Sequence, residues 1–129
     1  MSTTILLADD HRIVREGLRT LLSQQPEMEV VGEAADGREA VSQALLLRPG
    51  VVVMDIAMPE LNGVEATRRI RSEPGLAHVP IIAMTAQVMP GDQERCLAAG
   101  VDDFVGKPIQ LARLAEVLDL RLRAAGSPV

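Results

Sequence analysis

Val51-Val52-Val53-Met54-Asp55 constrains the chain more than any other stretch. Four apolar residues, three of them β-branched, read as a strand buried on both faces of a sheet. Such a strand has no solvent face for a charge, so Asp55 belongs where the strand emerges. Residues 56–63 follow with Pro59 and Asn62-Gly63, the punctuation of a loop. A carboxylate at the exit of a central parallel strand stands where open α/β sheets bind ligands. The less favoured alternative is that Asp55 caps that loop or the next helix.

The flanking segments alternate in period. Residues 3–8 (TTILLA) form an apolar strand that runs into Asp9-Asp10. From His11 the spacing becomes helical, with Ile13, Val14, Leu18, Leu21 and Leu22 on one face and Arg12, Arg15, Glu16 and Arg19 pointing away. Pro26 ends that helix, and residues 29–34 (EVVGEA) give a second strand interrupted by Gly32. Asp36 with Glu39 forms a capping pair for a helix that turns Ala40, Val41, Ala44 and Leu45 inward, and Pro49-Gly50 stops it.

Asn62 is the N-cap of a helix reaching about Ser72, with Val64 and Ile70 inside. After the Pro74-Gly75 turn, residues 79–84 (VPIIAM) make the fourth strand, which ends at Thr85. Pro90 opens a helix that Gly100 closes. Residues 103–106 are a short fifth strand leading to Lys107-Pro108. The last helix starts near Gln110 and buries Leu111, Leu114, Leu118 and Leu122, leaving residues 125–129 as a tail. Five strand–helix alternations call for a mostly parallel sheet with helices on both faces and right-handed crossovers. The expected unit is one α/β domain over residues 1–129, with an ordered core at about 3–124.

Composition narrows the function. A net charge of −5 argues against nucleic acid as the direct partner, because such binders carry a basic face. With no Trp, no Tyr and one Phe, the chain offers almost nothing for a base or a flavin ring to stack on. Neither phosphate-binding glycine motif, G-x-x-x-x-G-K-[ST] or G-x-G-x-x-G, occurs. No apolar run approaches the roughly 20 residues of a membrane span, and no secretory leader is expected. The single cysteine, Cys96, cannot form an internal disulfide and reads as a packing residue; a reducing cytoplasm is the expected setting.

The strand ends carry the chemistry. Asp9-Asp10, Asp55, Thr85 and Lys107 end strands one, three, four and five, and in a parallel sheet those ends share one edge. Three acids crowded together repel unless a cation joins them. An all-oxygen donor set suits Mg²⁺, which keeps several waters and needs only one or two carboxylates. The open side, facing Thr85 and Lys107, suits a phosphoryl group, and Asp55 becomes the nucleophile that accepts it. No Ser-His or Cys-His pairing is required; His11 and His78 read as surface residues.

These residues resemble the receiver domain of two-component response regulators. The likeness lies in LLADD, VVVMDIAMPELNG, IIAMTA and DDFVGKP, four pieces in order over nearly the whole chain. The resemblance implies a doubly wound, flavodoxin-like (βα)5 sandwich with parallel strand order 2-1-3-4-5. It implies that Asp55 takes phosphoryl from a phosphohistidine on a sensor kinase or phosphotransfer protein. Asp10 then binds Mg²⁺ directly, Asp9 helps through water, and the main-chain carbonyl of Ala57 adds a ligand. Thr85 and Phe104 are the switch pair: the hydroxyl moves inward and the ring rotates into the vacated space. The surface of the fourth helix, fifth strand and fifth helix then changes partners. Those partners are a downstream protein, an attached output domain or a second copy of the chain. The Lys107-Pro108 bond is expected to be cis.

Two rival readings share the residues. A phosphatase of the haloacid dehalogenase type also uses an Asp nucleophile and Mg²⁺, but needs a second Asp two residues on as general acid. Here that position is Ala57, so a turnover enzyme is not expected. A pure interaction module of the same fold would not need the five site residues. The opening DDHRIVREGLRTLL looks like receivers joined to DNA-binding outputs, whereas AMTAQVMPGDQERCLAAGVDDFVGKP looks like those of hybrid histidine kinases.

Overall fold

The computed structural model of the chain describes residues 3–56, 58, 62–85, 90–106 and 110–124. Strands and helices alternate throughout: β1 (Thr3–Ala8), α1 (Arg12–Ser23), β2 (Met28–Ala34), α2 (Gly37–Leu47), β3 (Val51–Asp55), α3 (Gly63–Arg71), β4 (Ile81–Thr85), α4 (Pro90–Ala99), β5 (Asp103–Gly106) and α5 (Leu111–Ala124). The sheet order is β2-β1-β3-β4-β5, and every neighbouring pair is parallel. The chain moves outward from β1 to β2, then crosses back over β1 to β3. That reversal opens a crevice beyond the carboxyl ends of β1 and β3.

Residue alternation along the central strands splits the core into two layers. Leu6, Ala8, Val52, Met54, Ile81 and Ala83 face one way and pack with Ala40 and Ala44 of α2, Ala66 and Ile70 of α3, and Cys96 of α4. Ile5, Leu7, Val51, Val53, Ile82 and Met84 face the other way, against Leu18 and Leu22 of α1 and Leu114, Val117 and Leu118 of α5. All five residues of β3 are buried, as a strand covered on both faces must be. Cys96 is buried and forms no disulfide among the described residues.

Local signals in the sequence do what their chemistry dictates. The Asp36 side chain accepts the Glu39 amide at 2.8 Å, while the Glu39 carboxylate accepts the Ala35 amide at 3.3 Å. Asn62 accepts the Glu65 amide at 3.0 Å and starts α3. At Gly32 the pairing of β1 with β2 slips, from Ile5 opposite Val30 to Leu6 opposite Gly32, which leaves Val31 as a bulge. Among the described residues no helix is long and apolar enough to cross a membrane.

Three expectations are corrected. Ile13 is 83% exposed rather than part of the α1 core face. The inward row is half-buried Val14 with buried Leu18 and Leu22 at i, i+4 spacing, and Ile13 falls beside it, above exposed Glu16 and Gly17. Arg15 does not point away: three residues before Leu18, it lies over the β2 side. Its guanidinium donates to the Asp9 carbonyl at 2.6 Å and to Glu33 at 3.1 Å. Finally, β4 starts at Ile81, not 79, because Pro80 has no amide to give a ladder; its carbonyl accepts the Val52 amide at 2.9 Å instead. The side chains of Leu111 and Leu122 fall outside the described set.

Arg71, unremarkable in the sequence, ties two loops together. Its guanidinium donates to the carbonyls of Gly100, Leu76 and Val79 and to the Asp102 carboxylate, whose same oxygen accepts the Ile81 amide at 2.8 Å. Only Asp102 adds an opposite charge; the rest is carbonyl satisfaction in a side chain 17% exposed. Gly100 has φ +116, and a Cβ there would come within 2.8 Å of the Arg71 Cγ, so the α4–β5 turn is shaped around this side chain. Arg71→Ala is expected to cost about 2–4 kcal/mol in urea denaturation, with Arg71→Lys recovering less than half. A loss within about 0.5 kcal/mol, the range of ordinary surface changes, would contradict this role.

Candidate functional site

The register of the three central strands decides what meets at their carboxyl ends. Ala8 pairs with Met54 and Asp55 pairs with Met84, so Asp9, Asp55 and Thr85 leave the sheet at nearly one level. β1 holds its last residue there because the Asp9 amide still bonds the Ala34 carbonyl of β2, at 2.9 Å. Asp9, Asp55 and Thr85 are 0%, 3% and 5% exposed, whereas Asp10 lies at the mouth.

Side-chain oxygens of Asp9, Asp10 and Asp55, together with a His11 ring nitrogen, lie within 4.8 Å of one another. The Asp9 carboxylate accepts the His11 amide at 2.8 Å, and the His11 Nδ1 lies 3.2 Å from both Asp9 Oδ1 and Asp10 Oδ1. Three carboxylates at this spacing, two of them withdrawn from water, form a donor set that fits a hard divalent cation. The structure therefore brings Asp9, Asp10, Asp55 and Thr85 to one rim. Lys107, Ala57 and Pro108 lie outside the described residues. Phe104 is half-buried on β5 and packs against the layer that includes α2, α3 and α4.

Sequence reasoning missed three contributors. His11, read as a surface residue, is exposed but joins the acid cluster; its place directly after the acid pair was the available signal. Thr67 is fully buried on α3 and donates to the Gly63 carbonyl at 2.7 Å, closing the first turn of that helix. Gly63 itself is a close-approach position. Its amide donates to the Ile56 carbonyl at 3.1 Å, and a Cβ would fall 2.6 Å from the Ile56 Cα and 2.7 Å from the Asp55 carbonyl oxygen. A glycine is what lets α3 start directly against the end of β3.

A parallel doubly wound sheet with buried acids at the β1/β3 crevice defines the class of flavodoxin-like signalling domains. Within that class, the Response regulator receiver domain family matches residues 5–119, and the chain belongs to that family. Response regulator protein VraR of Staphylococcus aureus is 36% identical over 118 residues, which cover 92% of this chain and 56% of that protein. The chain thus spans about half the length of the curated relatives it matches.

Two solved structures are similar over almost the whole fold. A LuxR-family two-component response regulator from Aurantimonas sp. SI85-9A1 superposes with a TM-score of 0.88 at 35% identity, covering 96% of this chain and 87% of that one. The receiver domain of sensor histidine kinase PA1611 from Pseudomonas aeruginosa, with a magnesium ion in its active site cleft, gives 0.86 at 35% identity, covering 95% and 99%. Members of this family serve two-component signalling as phosphorylation-dependent switches rather than turnover enzymes.

Two glycines give opposite expectations. Gly63→Ala is expected to cost about 1–3 kcal/mol, because backbone atoms of Asp55 and Ile56 must yield. Gly17→Ala on α1, where a Cβ meets nothing within 4 Å, is expected to be neutral or to stabilise by up to about 1 kcal/mol. Chemical denaturation of both variants checks the contrast, and equal effects would refute it.

Proposed function

We propose that Asp55 is the phosphoacceptor of this receiver domain and that the donor is a phosphohistidine on a sensor kinase or phosphotransfer protein. The observation that carries this reading is the placement of Asp55, 3% exposed, within 4.8 Å of the Asp9 and Asp10 carboxylates at the β1/β3 crevice. A carboxylate oxygen of Asp55 forms the new P–O bond as the P–N bond to the donor imidazole breaks. The electron pair leaves with that imidazole, and the product is an acyl phosphate.

Asp9, Asp10 and Asp55, with the main-chain carbonyl of Ala57, would hold Mg²⁺. Bound there, the ion would neutralise the acids and the phosphoryl oxygens as donor and acceptor meet. Asp55 needs such company, since an anionic donor meets three acids at the rim. Thr85 donates its hydroxyl to one phosphoryl oxygen and Lys107 its ammonium to another. The domain promotes its own phosphorylation and slow hydrolysis, and does no further turnover.

Phosphorylation then biases two packings of the Thr85 and Phe104 pair. The free-energy difference comes from contacts that exist only with phosphoryl bound. Half-burial of Phe104 is compatible with a ring that has room to rotate. The responding surface is that of α4, β5 and α5, on which Leu97 is 54% exposed. Its partner is a downstream protein, an attached output domain or a second copy. On this reading residues 1–129 belong to one receiver unit with its core at about 3–124. A single cysteine in the chain fits a reducing cytoplasm as the setting of the exchange.

Incubation with acetyl phosphate and Mg²⁺, followed by intact mass measurement, tests the reading. The expected result is a gain of one phosphoryl group that Asp55→Asn abolishes. No gain in the unaltered chain, or an undiminished gain in Asp55→Asn, would refute it.

A further inference from the structure

We propose that His11 is a fourth protein ligand of the acid cleft and gives it a preference for borderline transition ions, of the Co²⁺ and Zn²⁺ class, over Mg²⁺. The inference rests on the reading of this cleft as a cation site and adds a nitrogen donor to it. His11 is the N-cap residue of α1, yet its side chain makes no capping hydrogen bond. The ring turns the other way, toward the acids.

Its Nδ1 stands 3.2 Å from Asp9 Oδ1 and 3.2 Å from Asp10 Oδ1. An ion with bonds of about 2.1 Å sets neighbouring ligand atoms about 3 Å apart in an octahedron and slightly more in a tetrahedron. Both His11 separations match that edge, and the Asp55 oxygen completes a group spanning no more than 4.8 Å.

A nitrogen between two carboxylate oxygens is satisfied by a hydrogen on Nδ1. Coordination uses the other tautomer, with the hydrogen on Nε2, and the ring is 64% exposed, so water can receive it. The bland alternative is an imidazole that only hydrogen-bonds the acids and screens their repulsion.

Ion chemistry separates the two readings. Mg²⁺ prefers oxygen donors and keeps its waters, so an imidazole at the mouth adds little to its binding. Imidazole suits Co²⁺, Ni²⁺ and Zn²⁺, and affinity for mixed nitrogen and oxygen sites rises from Mn²⁺ through Co²⁺ to Ni²⁺. Because His11 is exposed and caps nothing with its side chain, replacing it leaves the fold intact.

The experiment titrates the 129-residue chain with MgCl₂ and separately with CoCl₂ by calorimetry, and records the visible absorption of bound Co²⁺. In His11→Ala, Co²⁺ affinity is expected to fall at least about tenfold, the Co²⁺ spectrum to shift and Mg²⁺ affinity to change by less than about twofold. His11→Gln, which can still hydrogen-bond the acids, is expected to behave like His11→Ala. Equal effects on both ions, no effect on Co²⁺, or full recovery of Co²⁺ binding by Gln would overturn the proposal. Failure of the unaltered chain to bind Mg²⁺ would instead overturn the underlying reading of the cleft, and this result is visible without any variant.

Discussion

Mutual repulsion among Asp9, Asp10 and Asp55 is the force the architecture has to contain. Two unit charges about 4 Å apart repel by roughly 4 kcal/mol at the effective dielectric of a protein boundary. Side-chain oxygens of these three acids lie within 4.8 Å of one another, and Asp9 and Asp55 are almost fully buried. The strands that carry them cannot relax apart. β1 and β3 share four register pairs from Ile5–Val51 to Ala8–Met54, and both are sealed by apolar residues on each face. Strain between like charges is thereby converted into affinity for whatever cation or proton-bearing group can sit among them. The His11 amide and ring already lean into that field.

The remaining structure can be read as the rigging that keeps this rim in register. Gly63 lets α3 begin within van der Waals reach of the Asp55 carbonyl, so the loop between them is pinned at both ends. Arg15 grips the Asp9 carbonyl from α1 and shares Glu33 of β2 with Arg19. At the opposite edge, Arg71 collects carbonyls from the α3–β4 and α4–β5 turns and sets where β4 and β5 enter the sheet. The register of the rim thus depends on cationic side chains that lie outside the acid cluster. Arg15 and Arg71 hold backbone carbonyls in crowded turns, which need a donor when buried.

Much of this was legible in the residues because period and punctuation agreed. The apolar run of β3, the Asn62 and Asp36 caps and the Gly100 stop each carry a local signal with one physical meaning. The convergence of Asp9, Asp10, Asp55 and Thr85 followed from parallel topology alone. What was not legible depends on tertiary geometry. Ile13 looked like a core residue because helical spacing fixes angles but not which of two adjacent rows meets the sheet. Arg15 looked like a solvated charge and Arg71 carried no signal, since a guanidinium that satisfies distant carbonyls leaves no trace in nearby sequence. Thr67 and Gly63 are small residues whose importance is a matter of approach distance. His11 stood next to the acid pair, yet only the fold turns its ring back onto them.

On the proposed reading a divalent cation sits at the carboxyl ends of β1 and β3, among the three acids. Mn²⁺ shares the oxygen preference of Mg²⁺ and broadens nearby nuclear resonances, so substoichiometric Mn²⁺ in an amide NMR spectrum locates the site directly. The account predicts that amides of Asp9, Asp10, Asp55 and Ile56 broaden first, while Thr4, Met28 and Val51 at the far edge persist, and that excess Mg²⁺ restores the lost signals. Broadening centred elsewhere, or unaffected by Mg²⁺, would contradict it.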